Sequence, residues 1–157
     1  MTRLMNSGLY LKAQLYQFCI GFVENRLQTV QNHLNEIQES LTSETKSSAG
    51  DKHETGRAML QLEREKAGQQ LAETERLNEA LSKIDVSKRG KVIGLGSIVF
   101  TTQANYYISV SAGNITIDGN KFFAISPQTP IGQLLIGKEV DDVIVFRNET
   151  FTIREVL

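Results

Sequence analysis

The sequence has little of what marks several classes of protein. Among its 157 residues there are one cysteine, two prolines and no tryptophan. A lone cysteine, Cys19, excludes a disulfide framework, and this favours a reducing, intracellular compartment. No stretch approaches the roughly 20 apolar residues that span a bilayer, and the first residues are too polar for the core of a signal peptide. We therefore expect a cytoplasmic protein without a membrane-bound part.

An excess of charge of one sign is also missing. The chain has 17 basic and 18 acidic residues, which give a net charge of -1 at pH 7. A protein that holds nucleic acid through its phosphates needs a clear basic excess, and so does a protein that binds an anionic membrane surface. The composition therefore predicts neither independent DNA binding nor membrane attachment.

Helix-forming residues dominate the first part of the chain, and their apolar members are regularly spaced. The first set follows steps of four and three: Leu9, Ala13, Tyr16, Ile20, Val23, Leu27, Val30, Leu34, Ile37 and Leu41. A thinner set follows between Asp51 and Ile84, with Leu60, Ala67, Thr74 and Leu81 at one seam position and Leu71, Leu77 and Ile84 at the other. Such spacing is typical of a coiled coil. Two stretches of about 34 residues, each about 50 Å long as a helix, predict an antiparallel hairpin.

The composition changes near residues 87–90, where Val, Ile, Phe, Thr and Gly become frequent. Six β-type runs follow, at 97–101, 106–111, 115–117, 121–125, 143–146 and 151–156. Asp118-Gly119 is a favoured hairpin turn, and Pro130 to Ile136 predicts a short helix that ends at Gly137. We predict an α+β protein: a coiled-coil hairpin over residues 1–88 with its tip near 43–54, then a mostly antiparallel β domain with one short helix over 89–157.

Common catalytic patterns are absent from the sequence. Gly94-Leu95-Gly96 lacks the third glycine of a dinucleotide-binding turn, and a strand rather than a helix follows it. The segment from Gly50 to Gly56 lacks the Lys-Ser/Thr ending of a phosphate-binding loop. His33 and His53 have no cysteine or carboxylate around them at metal-site spacing. None of these patterns supports a catalytic centre.

The remaining candidates are Asp51 and Glu54, at the start of the second predicted helix. Three positions apart, their carboxylates lie on nearly the same side of the first turn. At an exposed tip they can complete the shell of a Mg²⁺ ion whose other ligands come from a partner, because Mg²⁺ prefers oxygen ligands. The same spacing also fits a capping box, in which Asp51 accepts a hydrogen bond from the amide of Glu54. One pair of carboxylates can serve both purposes.

One stretch of the β domain has a specific pattern. It reads Thr129-Pro130-Ile131-Gly132-Gln133-Leu134-Leu135-Ile136-Gly137-Lys138-Glu139-Val140-Asp141-Asp142-Val143. This resembles the C-terminal pattern of the bacterial Gre transcript-cleavage factors, Ser-Pro-Ile-Gly followed by Leu-Leu-Gly-Lys-Lys-Val-Gly-Asp. At the tip, Gly50-Asp51-x-x-Glu54 matches the family's Gly-Asp-x-x-Glu, and the last seven residues are similar to its terminal strand. The resemblance covers almost the whole chain and implies an FKBP-like fold for the β domain.

The resemblance also implies a partner and two sites. In the family, the hairpin enters the secondary channel of RNA polymerase, and the tip carboxylates help to hold a second Mg²⁺ while the polymerase cuts backtracked RNA. Asp51 and Glu54 stand at those positions, and Pro130, Ile131 and Gly132 match the loop associated with docking. The implied protein is not an enzyme by itself. Its partner is RNA polymerase, its cofactor is Mg²⁺ bound only in the complex, and it reaches the RNA 3′ end only through the channel.

Two other functions stay open on the sequence alone. After the tip Glu the family usually reads Asn-Ala-Glu-Tyr, whereas this chain has Thr55-Gly56-Arg57-Ala58. The missing aromatic residue at Ala58 favours a channel-occupying regulator that does not stimulate cleavage and competes with Gre factors. An FKBP-like fold also raises prolyl isomerisation. The chain lacks a tryptophan for the floor of an aromatic pocket, however, and a fold alone is weak support for an activity.

Overall fold

A computed structural model describes the backbone of residues 2–46 and 50–157, and the side chains of residues 7–43 and 54–157. Its elements are α1 (Thr2–Lys46), α2 (Gly50–Ser82), β1 (Ile98–Thr101), β2 (Asn105–Ile108), β3 (Gly113–Ile117), β4 (Asn120–Ile125), α3 (Pro130–Leu135), β5 (Val143–Phe146) and β6 (Glu149–Val156). Two long helices precede a sheet with one short helix. The predicted α+β class is therefore confirmed.

The two long helices are less equal than the sequence predicts. α1 has 45 residues and α2 has 33. α1 begins before its first seam residue and continues into the predicted polar connector, since Thr42–Lys46 contains neither Gly nor Pro. Thr42 Oγ1 donates to the Gln38 carbonyl oxygen at 2.9 Å, so its hydroxyl is satisfied within the helix. Of the described helices, none is both long and apolar enough to cross a membrane.

The chain divides into two compact units. We call residues Val23–Asn78 the arm and the residues up to Phe22 together with Glu79–Leu157 the sheet unit. In the arm, Ile37, Leu41 and Ala67 form a buried cluster, with Leu34 and Leu60 packed against it. Residues from late in α1 thus meet residues from early in α2, as an antiparallel hairpin requires. The predicted division at residue 88 stays a prediction, because compactness groups the first turns of α1 with the sheet.

Those first turns bury a different face from the one that the seam predicts. Lys12, Leu15 and Cys19 are buried, whereas Leu9 and Ala13 are exposed. The buried residues follow a spacing of three and four, so they form one face of the helix. The predicted seam is therefore wrong at its two N-terminal members.

Two side-chain contacts show what this face of α1 meets in the sheet unit. Tyr16 Oη donates to the Leu81 carbonyl oxygen at 3.2 Å, and this bond joins α1 to the end of α2. Cys19 Sγ lies 3.3 Å from Ser109 Oγ, which directly follows β2. α1 therefore contacts both the end of α2 and the sheet, and the sheet contact explains why the buried face is not the seam alone.

The sheet has six strands in the order β3-β4-β2-β1-β6-β5. Neighbouring strands are antiparallel except β2 and β4, which are parallel. The turn between β3 and β4 is the predicted hairpin turn: Asp118 and Gly119 have φ angles of 50° and 83°, as a type I′ turn requires. Gly137, after α3, has a φ angle of 82°. The predicted end of the short helix is thus confirmed.

Both faces of the central strands are covered. One face carries the main apolar cluster, formed by Ile93, Val99, Ile108, Leu135, Ile144, Phe151 and Ile153. Side chains alternate along a strand, so Tyr107 lies on the face opposite Ile108. β4, which pairs with β2, places Phe122 on the same face as Tyr107. Both rings are fully buried. Burial on both faces explains why β1 has the apolar run Ile98-Val99-Phe100 and β2 the run Tyr106-Tyr107-Ile108.

Candidate functional site

The first candidate site is the start of α2. Asp51 and Glu54 both lie within the helix, which begins at Gly50. Glu54 is exposed, whereas the side chain of Asp51 lies outside the described residues. Positions three apart are neighbours on one side of a helix. The backbone therefore has the helical geometry that the predicted pair needs, and the predicted cap by Asp51 falls outside the described side chains.

The residues after Glu54 change the local charge. Arg57 is half-buried and follows Glu54 by three positions, so both side chains leave the same side of α2. A guanidinium on that side attracts a carboxylate and competes with a metal ion for it. Ala58 is exposed and offers only a methyl group. The tip thus combines two carboxylates with a nearby cation and no aromatic ring at this position.

The residue types of the predicted pair at the tip are ones that bind Mg²⁺. Mg²⁺ is usually held by one or two carboxylates and keeps several other oxygen ligands. Asp51 and Glu54 supply that number of carboxylates. Across residues 7–43 and 54–157, no group of three or more His, Cys, Asp or Glu side chains is arranged to hold a metal ion. That range does not include the side chain of Asp51, so the predicted Mg²⁺ pair stays a prediction.

The arm behind the tip has a thin core. Ile37 and Leu41 are 2% and 5% exposed, and Ala67 contributes only a methyl group. Thr74 takes a seam position and is 1% exposed. Its Oγ1 donates to the Gln70 carbonyl oxygen at 2.7 Å, so the hydroxyl is satisfied within α2 and needs no partner across the seam. The polar seam position is thereby tolerated, but it adds little apolar burial.

The second candidate site is the start of α3. Thr129 caps the helix: its Oγ1 accepts a hydrogen bond from the Gly132 amide at 3.1 Å and donates to the Ser126 carbonyl oxygen at 2.7 Å. Pro130 occupies the first turn of the helix, where a missing amide hydrogen leaves no bond unmade. The motif is therefore a pre-formed cap that fixes the position of Pro130.

The three predicted docking residues differ in exposure. Pro130 is exposed, and Ile131 is half-buried against the main apolar cluster. Gly132 is buried, and a Cβ atom there would collide with the Ser126 carbonyl oxygen and with Thr129 Oγ1. Of the three, Pro130 presents the most surface to a partner. Gly132 instead lets the Thr129 side chain and the Ser126 carbonyl approach the helix backbone closely. The sequence pattern did not indicate this role.

Other apolar side chains near α3 are exposed, and sequence reasoning missed them. Leu134 follows Pro130 by four positions, on the same side of α3, and is 37% exposed. Val143 and Val145 share one face of β5 and are 59% and 64% exposed. β5 lies at the edge of the sheet and contacts α3. The apolar run of β5 resembles a buried strand, so no sequence signal marks it as an exposed edge.

A buried lysine was also missed. Lys12 is 4% exposed, and its Nζ donates to the Lys88 carbonyl oxygen at 2.6 Å. Burial lowers the pKa of Lys12 and the Arg89 charge lowers it further, while Asp85 opposes the shift. A lysine next to a seam position normally lies in solvent, so the sequence gave no sign of this burial.

The single cysteine is a buried residue of the protein core. Cys19 is fully buried, and its burial raises the pKa of the thiol, although the Ser109 hydroxyl and the backbone at Val110 partly offset the shift. A thiol that resists ionisation is a poor nucleophile. Burial likewise raises the pKa of Tyr107, which lies near the Cys19 side chain. This pair belongs to the packing of α1 and supports no catalytic role.

Comparison with known proteins finds a distant structural likeness. No family model matches this chain, and no curated protein matches it. Among solved structures, the chain is similar to that of the transcription factor Gfh1, at 21% identity and a TM-score of 0.33. The match covers 85% of this chain and 90% of that one. A likeness at this level says nothing about activity, which the residues of the two sites must support on their own.

Proposed function

We propose that this chain is a cytoplasmic RNA polymerase-binding factor of the Gre type, which inserts its hairpin tip into the secondary channel and stimulates cleavage of backtracked RNA. The observation that carries the proposal is Gly50-Asp51-x-x-Glu54 at the start of a long helix. A second motif supports it, because Thr129 to Gly132 caps a short helix in the other compact unit. The two motifs follow each other in the order of the family pattern.

The proposed role of the tip is to bring oxygen ligands to a site that the polymerase completes. Mg²⁺ supplies the positive charge that stabilises the attacking and leaving oxygens of phosphodiester hydrolysis. Glu54, exposed on α2, and Asp51, one turn before it, would hold that charge in place. Two carboxylates do not enclose an ion, so the chain has no proposed activity alone. It is an activator of the polymerase rather than an enzyme.

The proposed role of α3 is to dock on the polymerase. Pro130 and Leu134 are exposed on one side of this helix, and the Thr129 cap fixes its first turn. Apolar side chains held on a rigid element suit a protein surface. The net charge of -1 agrees with a factor that binds protein and reaches RNA only through the polymerase channel.

The test uses RNA polymerase stalled in a backtracked complex, with Mg²⁺ and saturating protein. The wild-type chain should release short 3′ RNA fragments. Asp51→Asn combined with Glu54→Gln should abolish release yet leave polymerase binding within about twofold, because amides are weak Mg²⁺ ligands of similar size. The matched control is Glu36→Gln with Glu39→Gln, an exposed pair with the same spacing on α1. This control should cleave like the wild type.

The outcomes separate binding from cleavage. A wild-type chain that fails to bind core polymerase in a pull-down overturns the whole proposal. A chain that binds and releases no fragments overturns the cleavage step alone. Equal losses in the tip pair and in the control pair would show that hairpin charge, rather than the two tip carboxylates, sets the activity.

A second candidate function is a channel-occupying regulator without cleavage activity. The observation that favours it is Arg57 on the same side of α2 as Glu54, with Ala58 where the family has an aromatic residue. A cation beside Glu54 weakens its hold on Mg²⁺. Under this hypothesis the chain inhibits cleavage by a Gre factor, and the Asp51→Asn, Glu54→Gln variant inhibits it equally well. A competition assay with both proteins distinguishes the two functions.

A further inference from the structure

A cavity of about 450 Å³ lies within the sheet unit, and neither candidate site uses it. Lys12, Lys83 and Lys88 line it together with a single carboxylate, Asp85. The cavity therefore has an excess of positive charge in a protein whose overall charge is almost neutral.

The positive charge in this cavity is incompletely compensated. Lys12 is 4% exposed, and an ammonium group has three N–H donors. Among the described residues its hydrogen bond goes to one backbone carbonyl, that of Lys88. The Asp85 carboxylate accepts two hydrogen bonds from Ser87, from the amide at 3.0 Å and from Oγ at 2.6 Å. Buried charges are normally paired with an opposite charge, and the cavity is where an anion can reach Lys12.

Lysines near the end of a helix often serve only to balance the helix dipole. Here two of the last carbonyls of α2 have other partners. The Ala80 oxygen accepts from the Lys83 amide at 3.2 Å. The Leu81 oxygen accepts from the Ile84 amide at 3.1 Å and from Tyr16 Oη. The ammonium groups are thus not needed as hydrogen-bond caps of these two carbonyls.

Two exposed apolar side chains also line the cavity. Val92 and Leu95 line it and are 49% and 40% exposed. Gly94 and Gly96 also line the cavity. A Cβ atom at Gly94 would meet no heavy atom within 4 Å. The volume is within the range of small-molecule sites, about 300–1,000 Å³. Cations and apolar side chains that line one cavity suit an anion with an uncharged, apolar part.

We propose that this cavity binds a small organic phosphate. Its phosphate groups contact Lys12, Lys83 and Lys88, and its uncharged part packs on Val92 and Leu95. The phosphate adds negative charge to a cavity in which one carboxylate, Asp85, faces three lysines, and such charge-assisted hydrogen bonds are among the strongest in proteins. The inference does not depend on RNA polymerase, so it stands or falls separately from the proposed function.

The test titrates the full chain with three probes: ATP without Mg²⁺, inorganic pyrophosphate and adenosine. Calorimetry measures affinity, and amide chemical shifts in NMR spectra locate the site. We expect ATP to bind more tightly than pyrophosphate, adenosine not to bind, and the largest shifts at Gly94, Gly96 and Ser97. Shifts spread over all basic surfaces, or reproduced by sodium chloride at the same ionic strength, would overturn the proposal. So would equal competition by a single-stranded RNA without terminal phosphates.

Variants distinguish a built site from general charge attraction. Lys83→Gln combined with Lys88→Gln removes two exposed cations and should weaken ATP binding at least about tenfold. The control, Lys66→Gln with Lys138→Gln, removes two exposed cations elsewhere and should leave binding unchanged. Equal losses in the two double variants would refute the site. Lys12→Met tests the buried ammonium, with circular dichroism to verify folding, and the exposed pair decides the matter if this variant unfolds.

Discussion

Gly132 shows how a residue of the predicted docking motif acts through the backbone. Its amide donates to Thr129 Oγ1, which in turn donates to the Ser126 carbonyl oxygen. The chain packs so closely here that a Cβ atom at position 132 would lie 3.1 Å from Pro127 Cα and closer still to the Thr129 hydroxyl. The glycine therefore sets the geometry that places Pro130 on the surface.

We predict that Gly132→Ala lowers the free energy of unfolding by roughly 1–3 kcal/mol, the usual cost of forcing a methyl group into a packed site. The obstacle includes a backbone carbonyl, which a rotamer change cannot remove. The control is Gly68→Ala, an exposed helical position with no heavy atom within 4 Å of the added Cβ. It should stabilise the protein by about 0.5–1 kcal/mol. Urea denaturation measures both, and similar changes in the two variants would contradict the argument.

At the scale of elements, local signals predicted most of the structure and distant contacts explain the errors. The turn at Asp118-Gly119 and the α3 helix follow from a few neighbouring residues, and both are confirmed. The seam of α1 is correct where α2 covers it, as at Ile37. It fails at Leu9, because there the burial of the helix depends on a sheet that follows much later in the chain. Heptad spacing describes contacts between helices and carries no information about that sheet.

For the candidate sites, too, some features follow from local sequence and others depend on distant contacts. The helical spacing of Asp51 and Glu54 follows from local sequence, and their joint role stays a prediction. The burial of Lys12 depends on a segment far along the chain, since its ammonium group donates to the Lys88 carbonyl oxygen. The exposure of Val143 depends on the strand order, since β5 has no outer neighbour in the sheet. Neither kind of information is present in a short window of sequence.

Two leucines on α1 test which face of this helix is structural. Leu15 is fully buried, whereas Leu9, six positions earlier, is 38% exposed. We predict that Leu15→Ala costs roughly 2–5 kcal/mol, the range for truncating a buried leucine. Leu9→Ala should cost less than about 1 kcal/mol, as surface substitutions do. Thermal and urea denaturation of the two variants provide the comparison. A larger loss for Leu9→Ala would restore the seam that the sequence predicts.

At the scale of the whole molecule, the two compact units differ in how much apolar surface they bury. The sheet unit contains a cluster of large aliphatic and aromatic side chains, among them Phe151 and Ile153. Among the described residues, the buried cluster of the arm has only Ile37, Leu41 and the small Ala67 as members, although Val23 and Val30 are also buried. Regions with few buried apolar contacts open at lower free energy than the core of a protein. Of the arm, the proposed function requires that its tip reach a partner. This requirement does not demand a large apolar core within the arm.

We therefore predict that amide hydrogens of the arm exchange faster than those of β1 and β6 under native conditions. Ile37→Ala should speed exchange in the arm and leave β1 unchanged, because Ile37 belongs to the buried cluster of the arm. Ile153→Ala, the same change in the main cluster, should instead speed exchange in the strands. Hydrogen exchange with mass spectrometry follows both regions in one experiment. Equal acceleration of arm and strands by Ile37→Ala would show that they unfold together, and the division into two units would then have no energetic meaning.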